Sequence, residues 1–428
     1  MNVERIHRRD FLKAGAVISS FMIVPRHVLG RGYTAPSDKV ALGFIGCGRQ
    51  SGGLRNRFLD TMETQIVAAS DVYAVKQESF LNVTNKWYAD KLGQNNYKSA
   101  VGISDFRELL ARKDIDAVVI AAPDHWHAAM AVRAAEAGKD IYCEKPLSLT
   151  VKEGRVMVDA TRKNSRVFQT GSMQRSSKEF TQAVQLVRSG AIGTVQKVYV
   201  NVGGPPKVWD LQQEAVPSGL NWDLWMGPNT KDRPYNNVLA PAMDAKFWPK
   251  WRDYVEFGGG GMTDWGAHMF DIAQWGLGMD SSGPAELIYS KPGKGLVYKY
   301  ANGAEIIHRP MDGKQHCHFV GTDGEVFVAR GELRTTPEPL KDKVFQEGDY
   351  KVYVSTNHYK DFLNAIKTRK PPICDVETGH RTASVCNIGN ITYQLQRSLK
   401  WDPAKEVFDD KEANKLLGRD IRKEWKVY

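Results

Sequence analysis

The chain has 428 residues, 42% of them hydrophobic and 25% charged, with a formal net charge of +10. That length predicts two domains rather than one, and the composition excludes disordered and fibrous classes. Lys and Arg are interspersed with Asp and Glu, so the positive excess reads as a solvated surface and not as a nucleic-acid interface. The five cysteines (Cys47, Cys143, Cys317, Cys374, Cys386) form no C-x-x-C pair and have no His at zinc-like spacing, so neither a metal site nor a disulfide framework is expected.

The amino terminus reads "RRDFLKAGAVISSFMIV": Arg8 and Arg9, then Phe11, Leu12 and Lys13, then an apolar stretch too short to span a bilayer. It resembles a twin-arginine export signal, with His7 where Ser or Thr is common; the alternative is a basic amphipathic start of no significance. No A-x-A site follows, and cleavage near "PRHVLG" is expected. Residues 1–37 are therefore read as signal and leader. They imply the twin-arginine export machinery as a partner, a periplasmic or otherwise exported protein, and no integral span in the mature form.

From Lys39 onward, apolar runs alternate with helical segments. "VALGFI" reads as a buried strand, followed by Gly46-Cys47-Gly48 and a helix through Leu54 and Phe58. "QIVAAS" ends at Asp71, and a longer helix follows with Val75, Phe80, Val83 and Trp87 as candidate core positions. "SDFRELLA" carries Ser104 as a helix cap. "DAVVIAA" is a buried strand, "HAAMAVRAAEAG" a helix closed by Gly138, "DIYCE" a strand, and "TVKE" a helix start with a Thr150–Glu153 capping box. "RVFQTG" ends the series, so residues 38–172 predict a doubly wound parallel sheet of Rossmann type.

After about Ser176 the rhythm changes. "TVQKVYVNV", "LIYSKPGKGLVYKYANGAEIIHR" and "HCHFVGTDGEVFVARGEL" alternate apolar and polar residues, with hairpin pairs at Asn302-Gly303 and Asp323-Gly324. Residues 173–428 thus predict an α+β domain with a large, mostly antiparallel open sheet. The Trp-, Pro- and Gly-rich stretch 203–262 reads as loop, and "HYKDFLNAIKTRKPP" and "GHRTASVCNIGNITYQLQR" as helices returning to the body.

Gly46 and Gly48 stand at a strand-to-helix turn, where backbone N–H groups and the helix dipole suit a pyrophosphate. The third glycine of the usual pattern falls one place late, at Gly52 after Ser51. Asp71, ending the second strand, suits a ribose hydroxyl and repels a 2′-phosphate, which favours NAD over NADP. The alternative is an ordinary tight turn with Asp71 as a cap. "APDHWH" and "CEKP" follow at the same sheet edge, where ligands of open α/β sheets bind. Asp264 and His268, in "MTDWGAH", are four apart and share a helix face. That spacing also occurs in metal-ligand pairs and in plain hydrogen-bonded pairs.

"GCGRQ", Asp71, "APDHWH", "EKP" and "GGGMTDWGAHMFD", in this order, resemble the Gfo/Idh/MocA oxidoreductases, with "GLNWDLWMGP" and "PPICDVETGHRTA" similar to an exported bacterial branch. The resemblance implies a bound nicotinamide held by Gly46, Cys47, Gly48, Arg49, Gln50, Asp71, Pro123, Asp124, His127, Glu144 and Lys145. It implies Lys145 stabilising a developing alkoxide, His268 as general base, and Asp264 binding substrate hydroxyls, with no metal. Asp271, one turn beyond His268, can orient its ring. For the substrate, Trp126, Arg175, Trp251 and Tyr254 are the candidates, with core packing as the alternative for the aromatics and surface ion pairing for Arg175. Trp248 and Trp265 crowd the same regions. The implied activity is hydride transfer from a secondary alcohol of a sugar, glycoside or cyclitol. The alternatives are a redox-neutral glycoside hydrolase and a cofactor-binding sensor without turnover. A homodimer or homotetramer is implied by resemblance alone.

Overall fold

The computed structural model describes residues 38–428 apart from 96, 292–294, 310–312 and 347–348. The twin-arginine stretch lies outside the described residues. β1 (Val40–Ile45) is apolar or glycine at every position and buried at all but Ala41, as a strand covered on both faces must be. It pairs in parallel with β2 (Thr64–Ser70) and β4 (Ala117–Ile120). With β3 (Val101–Ile103), β5 (Asp140–Cys143) and β6 (Phe168–Thr170) it forms a parallel sheet in the order β3-β2-β1-β4-β5-β6.

The order reverses between β1 and β4, which opens a crevice at the carboxyl ends of the strands. Register aligns those ends: Ile45 stands beside Ser70 and Ile120, Ile120 beside Cys143, and Cys143 beside Thr170. The residues that follow the strands, Gly46, Asp71, Ala121, Glu144 and Gly171, therefore stand in one row along the crevice.

The helices between these strands are α1 (Arg49–Asp60), α2 (Ala74–Leu92), α3 (Phe106–Ala111), α4 (Asp124–Glu136) and α5 (Val151–Lys163). The structure departs from two sequence expectations in these helices. The buried stripe of α2 runs through Phe80, Thr84 and Tyr88, each one turn apart, and the Tyr88 hydroxyl accepts from Ile66 N–H at 2.9 Å. That orientation turns Val75 and Val83 outward, 43% and 47% exposed. In addition, α3 is capped by Asp105 and not Ser104, because the Asp105 carboxylate immediately before the helix accepts from Arg107 N–H at 2.9 Å. At α5 the Thr150 hydroxyl accepts from Glu153 N–H and donates to its carboxylate at 3.0 Å.

The second sheet has the order β13-β12-β11-β7-β10-β9-β8-β14-β15. Its strands are β7 (Val195–Asn201), β8 (Glu286–Tyr289), β9 (Leu296–Lys299), β10 (Glu305–Arg309), β11 (His316–Gly321), β12 (Glu325–Ala329), β13 (Glu332–Thr336), β14 (Leu399–Asp402) and β15 (Val407–Phe408). β7 and β10 pair in parallel and the other pairs are antiparallel. Val198, Val200, Phe319 and Val326 point into a core closed by α6 (Lys178–Arg188) and by the later helices α9 and α11 described next.

Residues 203–262 carry little regular structure: α7 (Trp222–Met226), a 3-10 turn at Lys250–Asp253 and the start of α8 (Gly261–Asp264). They nevertheless own a small core of Trp225, Tyr235, Leu239, Tyr254 and Phe257. α9 (Gly266–Leu277) is buried along nearly its whole length. α10 (His358–Thr368) returns to the first domain, where Phe362 and Leu363 pack with Leu42 and Phe44. α11 (Val376–Leu395) bridges both domains, and α12 (Lys411–Lys415) follows. Among the described residues no helix is long and apolar enough to cross a membrane.

Candidate active site

The turn after β1 is built around Gly46, whose φ of +90° suits glycine and where a Cβ would lie 2.6 Å from the Ala121 carbonyl oxygen. α1 then starts at Gly48 without any side-chain cap, and a Cβ at Gly48 would meet nothing within 4 Å. Its first-turn N–H groups thus present the positive end of the helix dipole to open space. Gly46, Gly48, Arg49, Gln50, Asp71, Pro123, Asp124, Glu144 and Lys145 line one cleft of about 1230 Å³, open mouth included. Ser104, Asp105, Phe106 and Met130 line it too, as do Lys76 and Arg252, none of which any motif indicated.

Two residues expected at the cofactor are engaged elsewhere. Cys47 is 1% exposed, and its N–H donates to Asp71 Oδ2 at 2.6 Å. Asp71 Oδ1 accepts from Tyr73 N–H at 2.8 Å, so this carboxylate braces the turn from both oxygens. Burial pushes the Asp71 carboxyl upward, against the opposing pull of Lys76 and these N–H groups. His127 lies beneath the cleft, with Nδ1 2.9 Å from the Pro146 oxygen and Nε2 3.0 Å from the Ala122 oxygen. It therefore holds the turn that carries Lys145 and does not line the cleft. His125 is likewise buried, on the Trp225 carbonyl at 3.0 Å.

Whether a dinucleotide fits is decided by what this edge leaves unsatisfied. The uncapped start of α1 needs an anion or water. Glu144 Oε1 is buried with no protein partner, while burial raises its carboxyl against the pull of Lys145. A phosphate at the first and an amide donor at the second would satisfy both, so the residues present fit the group.

Beyond the cleft, α8 and α9 follow one another through Trp265, which keeps helical dihedrals, and the four-residue spacing of Asp264 and His268 is preserved. Gly261 permits this by close approach: a Cβ there would lie 2.6 Å from Gly203 Cα. Lys145 Nζ donates to Asp264 Oδ1 at 2.6 Å and to the Asp264 carbonyl at 3.1 Å. Arg252 Nε lies 3.5 Å from the same Oδ1. Burial would raise the Asp264 carboxyl, but Lys145 and Arg252 outweigh it and hold it at about 2. His268 is held well below its ordinary value by burial, then by Lys145 and Arg330, with Asp264 opposing. The imidazole is therefore neutral and able to accept a proton. Its Nε2 lies 3.1 Å from Arg330 Nη2. Because a guanidinium only donates, Nε2 carries the lone pair and Nδ1, which has no partner, carries the hydrogen.

Asp271 and Arg175 pair with each other and do not take the roles expected of them. Asp271 does not reach His268: both its oxygens accept from Arg175 at 2.8 and 2.9 Å, and the Thr382 hydroxyl donates to it at 2.9 Å. The Arg175 side chain is 1% exposed and also donates to Asp280 at 2.7 and 3.0 Å. Four of its five N–H donors are taken by two carboxylates and the side chain is enclosed, so it is not presented to a substrate, and the pair with Asp271 is a core feature, not a surface one. Tyr254 is also withdrawn, 2% exposed with its hydroxyl on Asp210 at 2.8 Å. Trp126 and Trp251 both line the cleft, Trp126 anchored by Nε1 to the Trp225 carbonyl at 3.0 Å and Trp251 beneath Arg252 at 4.1 Å. Trp248 is 56% exposed at the cleft mouth, and Trp265 lies under Arg330.

Residues 40–172 match the NAD-binding Rossmann fold of an oxidoreductase family, and residues 178–427 match its C-terminal alpha/beta domain. The chain belongs to the Gfo/Idh/MocA oxidoreductases. Among sequence relatives of this Gfo/Idh/MocA chain, a glycosyl hydrolase family 109 protein of Shewanella sp. (strain W3-18-1) is 29% identical over 211 residues. That of strain MR-4 is 30% identical over 212 residues. Each alignment covers 45% of this chain and 44% of the relative, so the chain spans less than half the length of these curated relatives. Two solved structures share the fold. The aldose-aldose oxidoreductase of Caulobacter crescentus, complexed with glycerol, has a TM-score of 0.58 and 18% identity. Levoglucosan dehydrogenase, in complex with NADH and levoglucosan, has a TM-score of 0.55 and 17% identity. In both cases 85% of this chain and 99% of the other is covered.

Proposed function

We propose that this protein is a nicotinamide-dependent oxidoreductase acting on a secondary alcohol of a sugar, glycoside or cyclitol. The observation that carries the reading is the 2.6 Å contact of Lys145 with Asp264, beside a neutral His268, at one end of a cleft with an uncapped helix start. Gly46, Gly48 and the start of α1 would hold the pyrophosphate. Asp71 would meet the ribose, and its charge favours NAD over NADP. A nicotinamide bound there supplies the acceptor and donor of a hydride. The chain's own contribution is electrostatic and acid–base. The Lys145 ammonium stabilises negative charge developing on the alcohol oxygen, and His268 takes its proton. Asp264 fixes the ammonium and offers its second oxygen to a substrate hydroxyl.

The relatives named as family 109 glycosyl hydrolases support a second reading with the same residues. Hydride would pass from one sugar carbon to a bound nicotinamide and so acidify the neighbouring C–H; loss of that proton would expel the glycosidic oxygen, which leaves protonated as an alcohol. Water would then add across the resulting C=C bond, and the hydride would return to the carbonyl carbon, with no two-carboxylate pair required. We also infer export by the twin-arginine route from Arg8 and Arg9, which requires a cofactor retained and regenerated on site. Replacing both arginines by Lys should leave the protein in the cytoplasmic fraction; unchanged export would refute this.

One experiment separates the readings. The purified protein is denatured and any released nucleotide identified, then free sugars and chromogenic glycosides are screened. Reduction of the nucleotide by a sugar without a glycosidic bond supports the dehydrogenase, and cleavage without net reduction supports the hydrolase. Release of no nucleotide, with no spectral change on adding NAD, would refute both.

A further inference from the structure

Arg330 sits on the turn between β12 and β13, far in sequence from every motif of the site. Its guanidinium stacks on the Trp265 ring at 4.6 Å, Nε donates to Gln174 Oε1 at 3.0 Å, and Nη2 donates to His268 Nε2 at 3.1 Å. All three partners are neutral. The nearby acids serve other groups: Glu179 accepts from Gly331 N–H at 3.0 Å, and Glu332 pairs with Lys314 and Arg334. Asp264 is paired with Lys145 and Arg252. Among the described residues no carboxylate is in hydrogen-bond or ion-pair contact with Arg330, which feels Asp264 and Glu144 only at longer range, and the edge formed by Nη1 and the remaining Nη2 hydrogen is unpaired.

The surroundings do not balance this cation. Lys145, Arg252 and Arg330 meet around one firmly ionised acid, Asp264, while burial pushes the carboxyls of Asp124 and Glu144 up. A half-stacked guanidinium with a free planar edge, beside the base, is matched by a planar anion able to accept two parallel N–H bonds.

We propose that the substrate is a sugar acid and that the Nη1–Nη2 edge of Arg330 receives its carboxylate, making Arg330 the residue that sets specificity. This rests on the oxidoreductase reading for the identity of the reacting alcohol. It has a second consequence. While Arg330 donates to Nε2, the His268 lone pair is covered. A carboxylate that draws the guanidinium away exposes that lone pair, and the alcohol O–H can then break with its proton passing to Nε2 and its electron pair staying on oxygen.

The test is calorimetric binding of sodium D-glucuronate, D-glucose, glucose 6-phosphate and glucose 6-sulfate to the full chain as purified. The nucleotide spectrum is followed in parallel. Glucuronate should bind at least about tenfold tighter than glucose, the ratio expected for one charge-assisted pair. In R330Q that ratio should fall by about the same factor, and R330K should restore part of it. Arg330 is exposed, so both variants should fold, which circular dichroism verifies. Equal binding of glucose, tighter binding of either ester, an unchanged ratio in R330Q, or no glucuronate binding would each overturn the proposal. If no sugar alters the nucleotide and no glycoside is cleaved, the oxidoreductase reading fails, while the binding ratios still decide the carboxylate claim.

Discussion

Asp264→Asn removes the charge on which the site's electrostatics turn. The Lys145 and Asp264 side chains are 14% and 26% exposed, and their polar atoms are 2.6 Å apart. At an effective dielectric of about 20, Coulomb's law gives about 6 kcal/mol for that distance, and desolvation of both partners removes most of it. An independent figure comes from protonation: a carboxyl held at about 2 against an ordinary 3.8 contributes about 2 kcal/mol to stability. Because the folded value is depressed, that contribution is complete above the unfolded value. It is roughly halved at pH 3 and lost as pH falls through about 2. The assay is a double-mutant cycle of Asp264→Asn and Lys145→Met by urea unfolding at pH 7, with an expected coupling of about 2 kcal/mol that shrinks at pH 3. A coupling below about 0.5 kcal/mol at pH 7 would show that the two charges are independently solvated and would remove the electrostatic basis for the site.

Three further outcomes are expected. Gly46→Ala combines a φ of +90° with a Cβ 2.6 Å from a carbonyl oxygen, and should cost about 1–3 kcal/mol while raising the Kd for NAD. A thermal-shift titration with NAD that matches wild type would count against the phosphate turn. Arg175→Leu strands a buried Asp271 and should lower stability by about 3–5 kcal/mol in urea unfolding. Near wild-type stability together with a selective rise in KM would return Arg175 to the substrate. Since burial and two cations depress the His268 pKa, its base form persists to lower pH, and the acid limb of kcat/KM should lie below pH 6.5. A limb at or above 6.5 assigned to this residue, by its loss in His268→Asn, would contradict the neutral buried imidazole.

The sequence by itself determined the parallel sheet, because β1, β2 and β4 are short apolar runs that only a doubly covered strand can carry, and Gly46, Asp71 and Glu144 follow such runs directly. It also determined the Asp264–His268 pair, since a four-residue spacing survives any placement of the helix. Only tertiary structure decided which neighbour each charge meets. Cys47 and His127 are turned inward by contacts with Asp71, Pro146 and Ala122 that no local pattern encodes, and Arg175 is enclosed by Asp271 and Asp280 from about a hundred residues away. Arg252 sits on a single 3-10 turn within a long stretch of little regular structure and Arg330 on a hairpin turn, where periodicity carries no signal. Side-chain direction on regular elements repeats with the backbone and is therefore written locally. Partners brought together by sheet closure and domain packing depend on the whole chain's register, which no short stretch of sequence contains.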